Sequence, residues 1–537
     1  MKSSKQHIEL LDYIRGVAII LVLLVHTLAN TYGFDVLPWG GWFRQLAVPD
    51  SFVWFLPISV LSAGVPMFFV VSGFCIHMSF QQQGQKWGDF FIRRFFRIYP
   101  AYLAALVFIL ALDMVYNRQG VLGHEDWMQV LAHLFLVHNF DPSKIFAING
   151  SFWSLAIEGQ LYLLYPALLV LVAKLGWRST MVTLAACELL IRCASGLIQT
   201  VDAEQTIVGQ VSWFLASSPL GYWFSWALGA FIADAHLKKQ SLPFLNASPV
   251  WWLALAIISY FIKPLDPFRF LLFAVLTAVV TSQLLSGARI KIKVPAFSLS
   301  LLNKIGLWSY SIYLLHQPLL NIYSRAIDWV FPLEDQTAWI VFLFNAMLWL
   351  AIIPFSFLWY KIFELAGIAL GKRIIQKSDA DPMVGANNAP GNGPGQNGWA
   401  GMMNGKRNLI IGSLLVFAVG SLFGAAKLAP RTPRENNNLA WSLATDPEAA
   451  HRNGARAVEL AEDACRRTQY KVTLMVGTLA AAYAEAKRFD QAIATAQQAC
   501  HLAAQNGETN LIPKELELLV LYQNYQPYHE AKTNVSK

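Results

Sequence analysis

The first long apolar stretch of the chain contains three ionisable side chains, Asp12, Arg15 and His26. Ionisable groups are costly inside a membrane and mark functional sites by default. Arg15 and His26 are eleven residues apart, about three helical turns, so a helix places them on one face together with Asp12. A desolvated neutral imidazole at position 26 suits general-base chemistry on a hydroxyl, with Arg15 available to hold an anion or to pair with Asp12. The alternative is a histidine that hydrogen-bonds a neighbouring helix for packing.

A second polar face lies on the apolar stretch that begins near residue 151. Its polar positions recur at helical spacing: Ser154, Glu158, Tyr162 and Tyr165. A buried glutamate must pair or take up a proton, so we expect Glu158 to orient the imidazole of His26. Ser154 and Tyr162 are expected to contact substrate. The alternative is a structural glutamate that pairs with Arg15 or another arginine.

Two further groups of polar residues complete the candidate site. Arg93, Arg94 and Arg97 exceed what helix orientation requires, and guanidinium forks match phosphate geometry, so the phosphates of coenzyme A are a natural ligand. The alternative is an anchor for lipid head groups. His316, two residues before Pro318, is expected to bind substrate or line a cavity. Its alternative role is to satisfy backbone groups that the proline frees.

The composition identifies lipid as the solvent for most of the chain. The 537 residues are 55% hydrophobic and 14% charged, against roughly 25% charged residues in globular domains, and the mean hydropathy is +0.42. So little polar surface cannot enclose a water-soluble core of this size. The net charge of +8 lies in short loops between apolar runs, as membrane orientation requires. We therefore expect a lipid bilayer, and no nucleic acid, as partner.

Ten apolar runs are long enough to cross a bilayer core of ~30 Å. They lie at 10–32, 53–80, 99–116, 151–173, 180–198, 219–236, 249–263, 268–287, 305–329 and 338–365. A shorter run at 127–140 is expected to be interfacial or re-entrant, and an eleventh span is expected at 408–427. Lys and Arg concentrate in alternate gaps, which places the N-terminus in the cytoplasm and the chain after about residue 430 outside. The sequence therefore predicts an all-α, multi-pass protein of the inner membrane, with its membrane domain at 1–377.

The remainder of the chain changes character twice. Residues 378–407 are rich in Gly, Pro and Asn and are expected to form a flexible linker, whereas 431–537 are polar and helical in pattern. Ala457–Cys465 and Ala492–Cys500 match at an offset of 35, which resembles the 34-residue tetratricopeptide repeat. We expect a small helical-repeat domain that contacts a protein partner or a glycan, with an unspecialised helical hairpin as the alternative. Both cysteines would lie outside on adjacent helices, so either a disulfide or two free thiols fits.

In order as well as content, these segments resemble the membrane acyltransferase-3 family, which O-acylates surface polysaccharides, peptidoglycan, glycolipids and macrolides. Five motifs within residues 8–365 carry the resemblance: Leu11-Asp12 through Arg15-Gly16 to His26, Phe69 through Ser72-Gly73-Phe74, Arg93-Arg94 through Arg97 to Pro100, Trp153-Ser154 through Glu158 to Pro166, and Tyr310-Ser311 through His316 to Pro318. Gly159 departs from the pattern, because relatives often have a second glutamate there. A role that depends on that glutamate cannot apply to this chain.

The resemblance implies a bundle of ten helices that takes an acyl group, acetyl most of all, from cytosolic acyl-CoA. The acceptor it implies is a hydroxyl of an extracytoplasmic carbohydrate. His26 is implied as the catalytic residue, with Arg15 in support and Arg93, Arg94 and Arg97 near the donor. No metal cofactor is expected. The alternative function is a transporter or flippase of a glycan or acyl intermediate, which would carry inverted repeats and broken helices.

Overall fold

The computed structural model describes residues 9–33, 37–38, 50–82, 86–117, 127–142, 144–200, 207–287, 295–330, 337–380, 433–505, 508 and 511–530. Within these ranges all regular secondary structure is helical, which confirms the all-α prediction. The chain divides into two compact units, Met1–Leu428 and Ala429–Lys537. The predicted linker, apart from its first three residues, and the predicted span at 408–427 lie outside the described residues.

The first unit is a bundle of helices around one large apolar core. The helices are α1 (Glu9–Tyr32), α2 (Leu56–Ser59), α3 (Gly64–Gln82), α4 (Trp87–Asn117), α5 (Trp127–Leu134), α6 (Trp153–Thr200), α7 (Ile207–Ala216), α8 (Trp223–Leu237), α9 (Pro249–Ile258), α10 (Arg269–Leu285), α11 (Ala296–Val330), α12 (Ala338–Met347), α13 (Trp349–Trp359) and α14 (Leu365–Ala380). A π-helical turn, Tyr360–Glu364, joins α13 to α14. Short 3-10 turns precede α2, α6, α8 and α10.

Six helical segments of the described residues are long and apolar enough to cross a membrane. They are Glu9–Tyr32, Phe52–Gln82, Trp87–Met114, Trp153–Gly196, Lys263–Leu285 and Ala338–Lys377. The predicted number of about ten is not confirmed. One reason is that α9 has 10 residues, too few to cross a bilayer, where the hydropathy pattern gives a run at 249–263. Another is that α6 covers two predicted spans, which meet at Gly176, where φ is 73°.

Several helix crossings in this unit depend on glycine, and two of them involve motif residues. A Cβ added at Gly306 of α11 would overlap the carbonyl oxygen of Asp12 in α1, and one added at Gly16 of α1 would overlap that of Leu302 in α11. Gly73 of α3 meets α8 in the same way. Small residues let membrane helices approach until their backbones touch, which favours association where apolar burial gives no preference. The position of α1 against α11 is therefore set by backbone contact.

The described residues of the second unit form five α-helices and a short 3-10 turn, Ala449–His451, around an alanine-rich core. The α-helices are α15 (Pro433–Thr445), α16 (Gly454–Arg467), α17 (Thr473–Glu485), α18 (Phe489–Gln505) and α19 (Ile512–Gln523). Consecutive helices pack against each other, and small side chains such as Ala461, Ala480 and Ala496 are fully buried between them. The resemblance to the tetratricopeptide repeat is not confirmed. Cys465 and Cys500 are both free thiols, so the structure does not support the disulfide between them.

Candidate active site

The parallel crossing of α1 and α11 brings two histidines together. His26 and His316 each lie ten residues after the glycine with which their own helix makes the crossing, Gly16 and Gly306. Equal rise along two parallel helices carries both rings to the same level, about 15 Å beyond the glycines. The ring centroids are 4.8 Å apart and the ring planes meet at 82°, an edge-to-face contact.

The hydrogen bond of His26 determines which of its nitrogens can take up a proton. Nδ1 lies 2.9 Å from the carbonyl oxygen of Val22, one turn earlier in α1. Because a carbonyl oxygen only accepts, the proton of the neutral ring lies on Nδ1 and the lone pair lies on Nε2. The side chain is half-buried. A neutral imidazole held in this tautomer can act as a base through Nε2.

His316 is arranged in a similar way but is completely buried. Its Nδ1 donates to the carbonyl oxygen of Tyr313 at 2.8 Å, and its Nε2 lies 3.4 Å from Oγ of Ser151. His316 does not line the cavity of the candidate site, and its contacts among the described residues are with Tyr313, Ser151 and His26.

A cavity with about 730 Å³ of empty space, partly open to solvent, extends from Tyr313 toward Arg15 near the start of α1. It brings together six of the residues singled out from the sequence, which are Arg15, Arg94, Arg97, Ser154, Glu158 and Tyr162. His26 and Arg93 do not line it. Arg93 instead lies 3.8 Å from the carboxylate of Asp89 on its own helix. The three predicted donor-binding arginines thus contribute two to the cavity.

Tyr313 connects the cavity with the histidine pair. Its side chain lines the cavity, and its ring centroid lies 5.5 Å from that of His316. Its hydroxyl lies 2.8 Å from Oγ of Ser154, which also lines the cavity. The Ser154–Tyr313 contact therefore forms the end of the cavity that faces the histidines.

The cavity arginines differ in their counter-ions. Arg15 lies 3.5 Å from the buried carboxylate of Asp12, and Arg97 lies 3.6 Å from that of Glu364. In the part of the chain that the structure describes, Arg94 has no carboxylate within ion-pairing distance. A buried cation without a counter-ion is costly, and an anionic ligand would relieve that cost. Arg94 is therefore the strongest anion-binding candidate of the three.

Glu158 is held by hydroxyl groups and not by a histidine. Oγ of Ser72 and the hydroxyl of Tyr162 donate to its Oε1 at 2.6 and 2.5 Å, distances typical of charge-assisted bonds. Among the described residues Glu158 has neither a hydrogen bond to His26 nor an ion pair with an arginine. The direction of α6, opposite to that of α1, accounts for this. Ser151 lies beside the histidine pair just before α6, and Glu158, two turns later, lines the cavity together with Arg15.

Several polar residues at the site were not predicted from the sequence. Ser72 lies in a motif that was recognised but carried no assigned role. Glu364 lies at the end of the predicted span 338–365, where an acidic residue among apolar ones was an available signal. Asn149 and Ser151 precede α6 in a segment without helical periodicity, so only their contacts in the structure mark them.

Known proteins are similar to about half of this chain. The peptidoglycan O-acetyltransferase OatA of Listeria monocytogenes is 26% identical over 290 residues, 49% of this chain and 46% of that protein. The acyltransferase MdmB of Streptomyces mycarofaciens is 24% identical over 265 residues, 48% of this chain and 67% of that protein. This chain thus spans about half the length of OatA. No solved structure matches it.

The family model described as an acyltransferase domain matches residues 8–359, about two thirds of the chain and all residues of the candidate site except Glu364. The apolar helices and this match agree with the membrane location that the composition predicted. The chain belongs to the acyltransferase-3 family.

Proposed function

We propose that the enzyme moves an acyl group, preferentially acetyl, from cytosolic acyl-CoA to a hydroxyl of an extracytoplasmic carbohydrate or cell-envelope glycan. The observation that carries the proposal is that the cavity lined by three arginines ends at Tyr313, whose ring contacts His316 of the histidine pair. The relative named as a peptidoglycan O-acetyltransferase supports acetyl as the group and a glycan as the acceptor.

The donor binds in the cavity in this proposal. Arg94 and Arg97 contact phosphates of coenzyme A, and Arg15 holds a further anionic group. The pantetheine arm then extends toward Ser154 and Tyr313, at the end of the cavity nearest the histidines. This direction requires the start of α1 to face the cytoplasm, as the loop charges indicate.

His26 acts as the general base and then as the acid. Its Nε2 accepts the proton of the acceptor hydroxyl as that oxygen attacks the thioester carbonyl. The carbon–sulfur bond breaks, and the departing thiolate of coenzyme A takes the same proton from the imidazolium. The products are an O-acyl ester and free coenzyme A. No step requires a metal or a redox partner.

Transfer from radiolabelled acetyl-CoA to a soluble glycan, measured with the purified protein in detergent, tests the proposal. His26→Ala should lower the rate by about 100- to 10,000-fold, the usual contribution of a general base. His501→Ala, which removes an exposed histidine of the second unit, is the matched control and should keep the wild-type rate. Wild-type transfer by His26→Ala would refute the mechanism. Glycan flux that continues without acyl-CoA would favour the transporter.

The second unit is proposed as an extracytoplasmic module that recruits a protein partner or the glycan. Its separate compactness and its own apolar core support this role. Removal of residues 431–537 should then leave transfer to a soluble acceptor unchanged and impair glycan modification in cells. Loss of transfer by the purified truncation would show that the unit is part of the enzyme.

A further inference from the structure

The proline of α11 leaves one backbone carbonyl without its helical partner. Pro318 has no N–H, so the carbonyl oxygen of Leu314, four residues earlier, lacks the donor that other residues of α11 receive. His316 does not replace that donor, contrary to one role suggested for it by the sequence. Nδ2 of Asn149 donates to the Leu314 oxygen at 3.1 Å, and Asn149 is buried. The segment before α6 is therefore attached to α11 at the point where the proline interrupts it.

The same attachment places the hydroxyl of Ser151 beside the ring of His316. The Ser151 N–H donates to Oδ1 of Asn149 at 3.0 Å, which fixes the turn between them. Oγ of Ser151 donates to Oε1 of Gln317 at 2.9 Å and lies 3.4 Å from Nε2 of His316. Ser151 is 2% exposed, so protein groups and not bulk water are the neighbours of its hydroxyl. A Cβ at Gly150 would lie 3.0 Å from the Gln317 amide, so the turn fits closely.

A hydroxyl in this position can serve both protonation states of His316. Nδ1 donates to the Tyr313 carbonyl oxygen, so Nε2 is the nitrogen that gains or loses a proton. When Nε2 carries the lone pair, the Ser151 hydroxyl can rotate and donate to it. When Nε2 carries a proton, Oγ can accept from it while donating to Gln317. The ring of His316 is therefore held in one orientation in either state.

We propose that Ser151 is a positioning residue that fixes the ring of His316 and, through the edge-to-face contact, the ring of His26. This inference rests on the proposed function of His26 as the base. Because the two ring centroids are 4.8 Å apart, a displacement of the His316 ring would also displace the ring of His26. Pro318 leaves the Leu314 carbonyl oxygen free to accept from Asn149, and Asn149 holds the Ser151 backbone. The Ser151 hydroxyl then lies against His316, whose ring contacts that of His26.

The first test separates positioning from donor binding. Ser151→Ala should lower kcat of acetyl transfer about tenfold and leave KM for acetyl-CoA within twofold, because Ser151 does not line the donor cavity. Ser151→Thr, which keeps the hydroxyl, should recover at least half of the lost kcat. An unchanged kcat in Ser151→Ala, or a rise in KM equal to the fall in kcat, would overturn the proposal.

The second test examines the attachment to the proline and does not depend on Ser151 variants folding well. Asn149→Ala should lower kcat about tenfold in the natural chain. Pro318→Ala supplies the Leu314 oxygen with a helical N–H, so Asn149→Ala should cost less in that background, where only the bond from the Ser151 N–H is lost. Equal losses in both backgrounds would overturn the attachment. If His26→Ala is inactive while Ser151→Ala is fully active, this inference fails alone. If His26→Ala is active, the proposed function fails.

Discussion

Replacement of Arg94 by glutamine should weaken donor binding without destabilising the protein. In the described residues Arg94 has no carboxylate within ion-pairing distance, so the substitution breaks no buried ion pair. A hydrogen bond to a charged group is worth about 1.5–3 kcal/mol. Its loss should raise KM for acetyl-CoA by about 10- to 150-fold. Arg94→Lys should cost less, since it keeps the charge but loses the bidentate fork.

The same substitution at Arg97 provides the comparison. Glu364 is 1% exposed and lies 3.6 Å from Arg97. Arg97→Gln would leave that carboxylate buried without its ion-pair partner, which costs about 1–3 kcal/mol of folding stability. Two identical changes, three residues apart on α4, should therefore affect different quantities. Arg94→Gln should raise KM and leave the melting temperature unchanged, whereas Arg97→Gln should lower the melting temperature in addition to any rise in KM.

Initial rates of acetyl transfer at varied acetyl-CoA concentration measure the first quantity. Thermal unfolding in detergent, followed by intrinsic tryptophan fluorescence, measures the second. A KM for Arg94→Gln equal to that of the wild type would refute the assignment of Arg94 as the donor-binding cation. A loss of stability as large as that of Arg97→Gln would refute the claim that Arg94 has no counter-ion to lose.

Three further results are expected. Gly306→Ala should reduce the transfer rate about 100-fold, because its Cβ would force α1 and α11 apart and misplace the histidines. Gly159→Ala, whose Cβ would meet one side-chain atom at 3.4 Å, should keep the transfer rate within about twofold of the wild type. Equal activity of the two variants would contradict the packing of α1 against α11. Burial raises the pKa of Glu515 from 4.5 to about 7, so the folded second unit holds that proton more tightly than the unfolded chain and loses about 3 kcal/mol of stability as pH rises through this interval. Glu515→Gln should abolish this pH-dependent loss of stability, which hydrogen exchange of α19 in the full chain at pH 5 and pH 8 would measure. The same pH dependence in the wild type and in Glu515→Gln would refute the prediction. Alkylation of the protein denatured without reductant should label both Cys465 and Cys500, whereas a disulfide would leave both unlabelled.

The helix faces of the site could be predicted from the sequence, but the pairing of those faces could not. Helical spacing correctly placed Ser154, Glu158 and Tyr162 along one wall of the cavity. The same spacing gave no information on the direction of α6 relative to α1, so Glu158 was matched with His26 and not with Ser72. Periodicity is a property of one helix, whereas a contact depends on the direction and depth of two.

The residues that position the helices were equally hard to predict. Gly16 and Gly306 are 290 positions apart, and nothing in the periodicity of either run shows that they touch. The attachment of Asn149 depends on a carbonyl freed by Pro318, which belongs to a different motif. The number of membrane spans was also out of reach, because hydropathy marks apolar residues and not the points where helices begin and end.

The crossing of α1 and α11 has a consequence for biosynthesis. A ribosome adds about 5–20 residues per second, so roughly 15–60 s separate the synthesis of Gly16 from that of Gly306. During that interval the nascent first helix lies in the bilayer with Asp12, Arg15 and His26 before its partner helix exists. Ionisable groups are poorly tolerated by lipid alone, so the early helix has to be sheltered by the insertion machinery or by neighbouring nascent helices. Pulse-labelled chains stopped before residue 296 should accordingly be cleared faster by membrane proteases than chains that extend past residue 330.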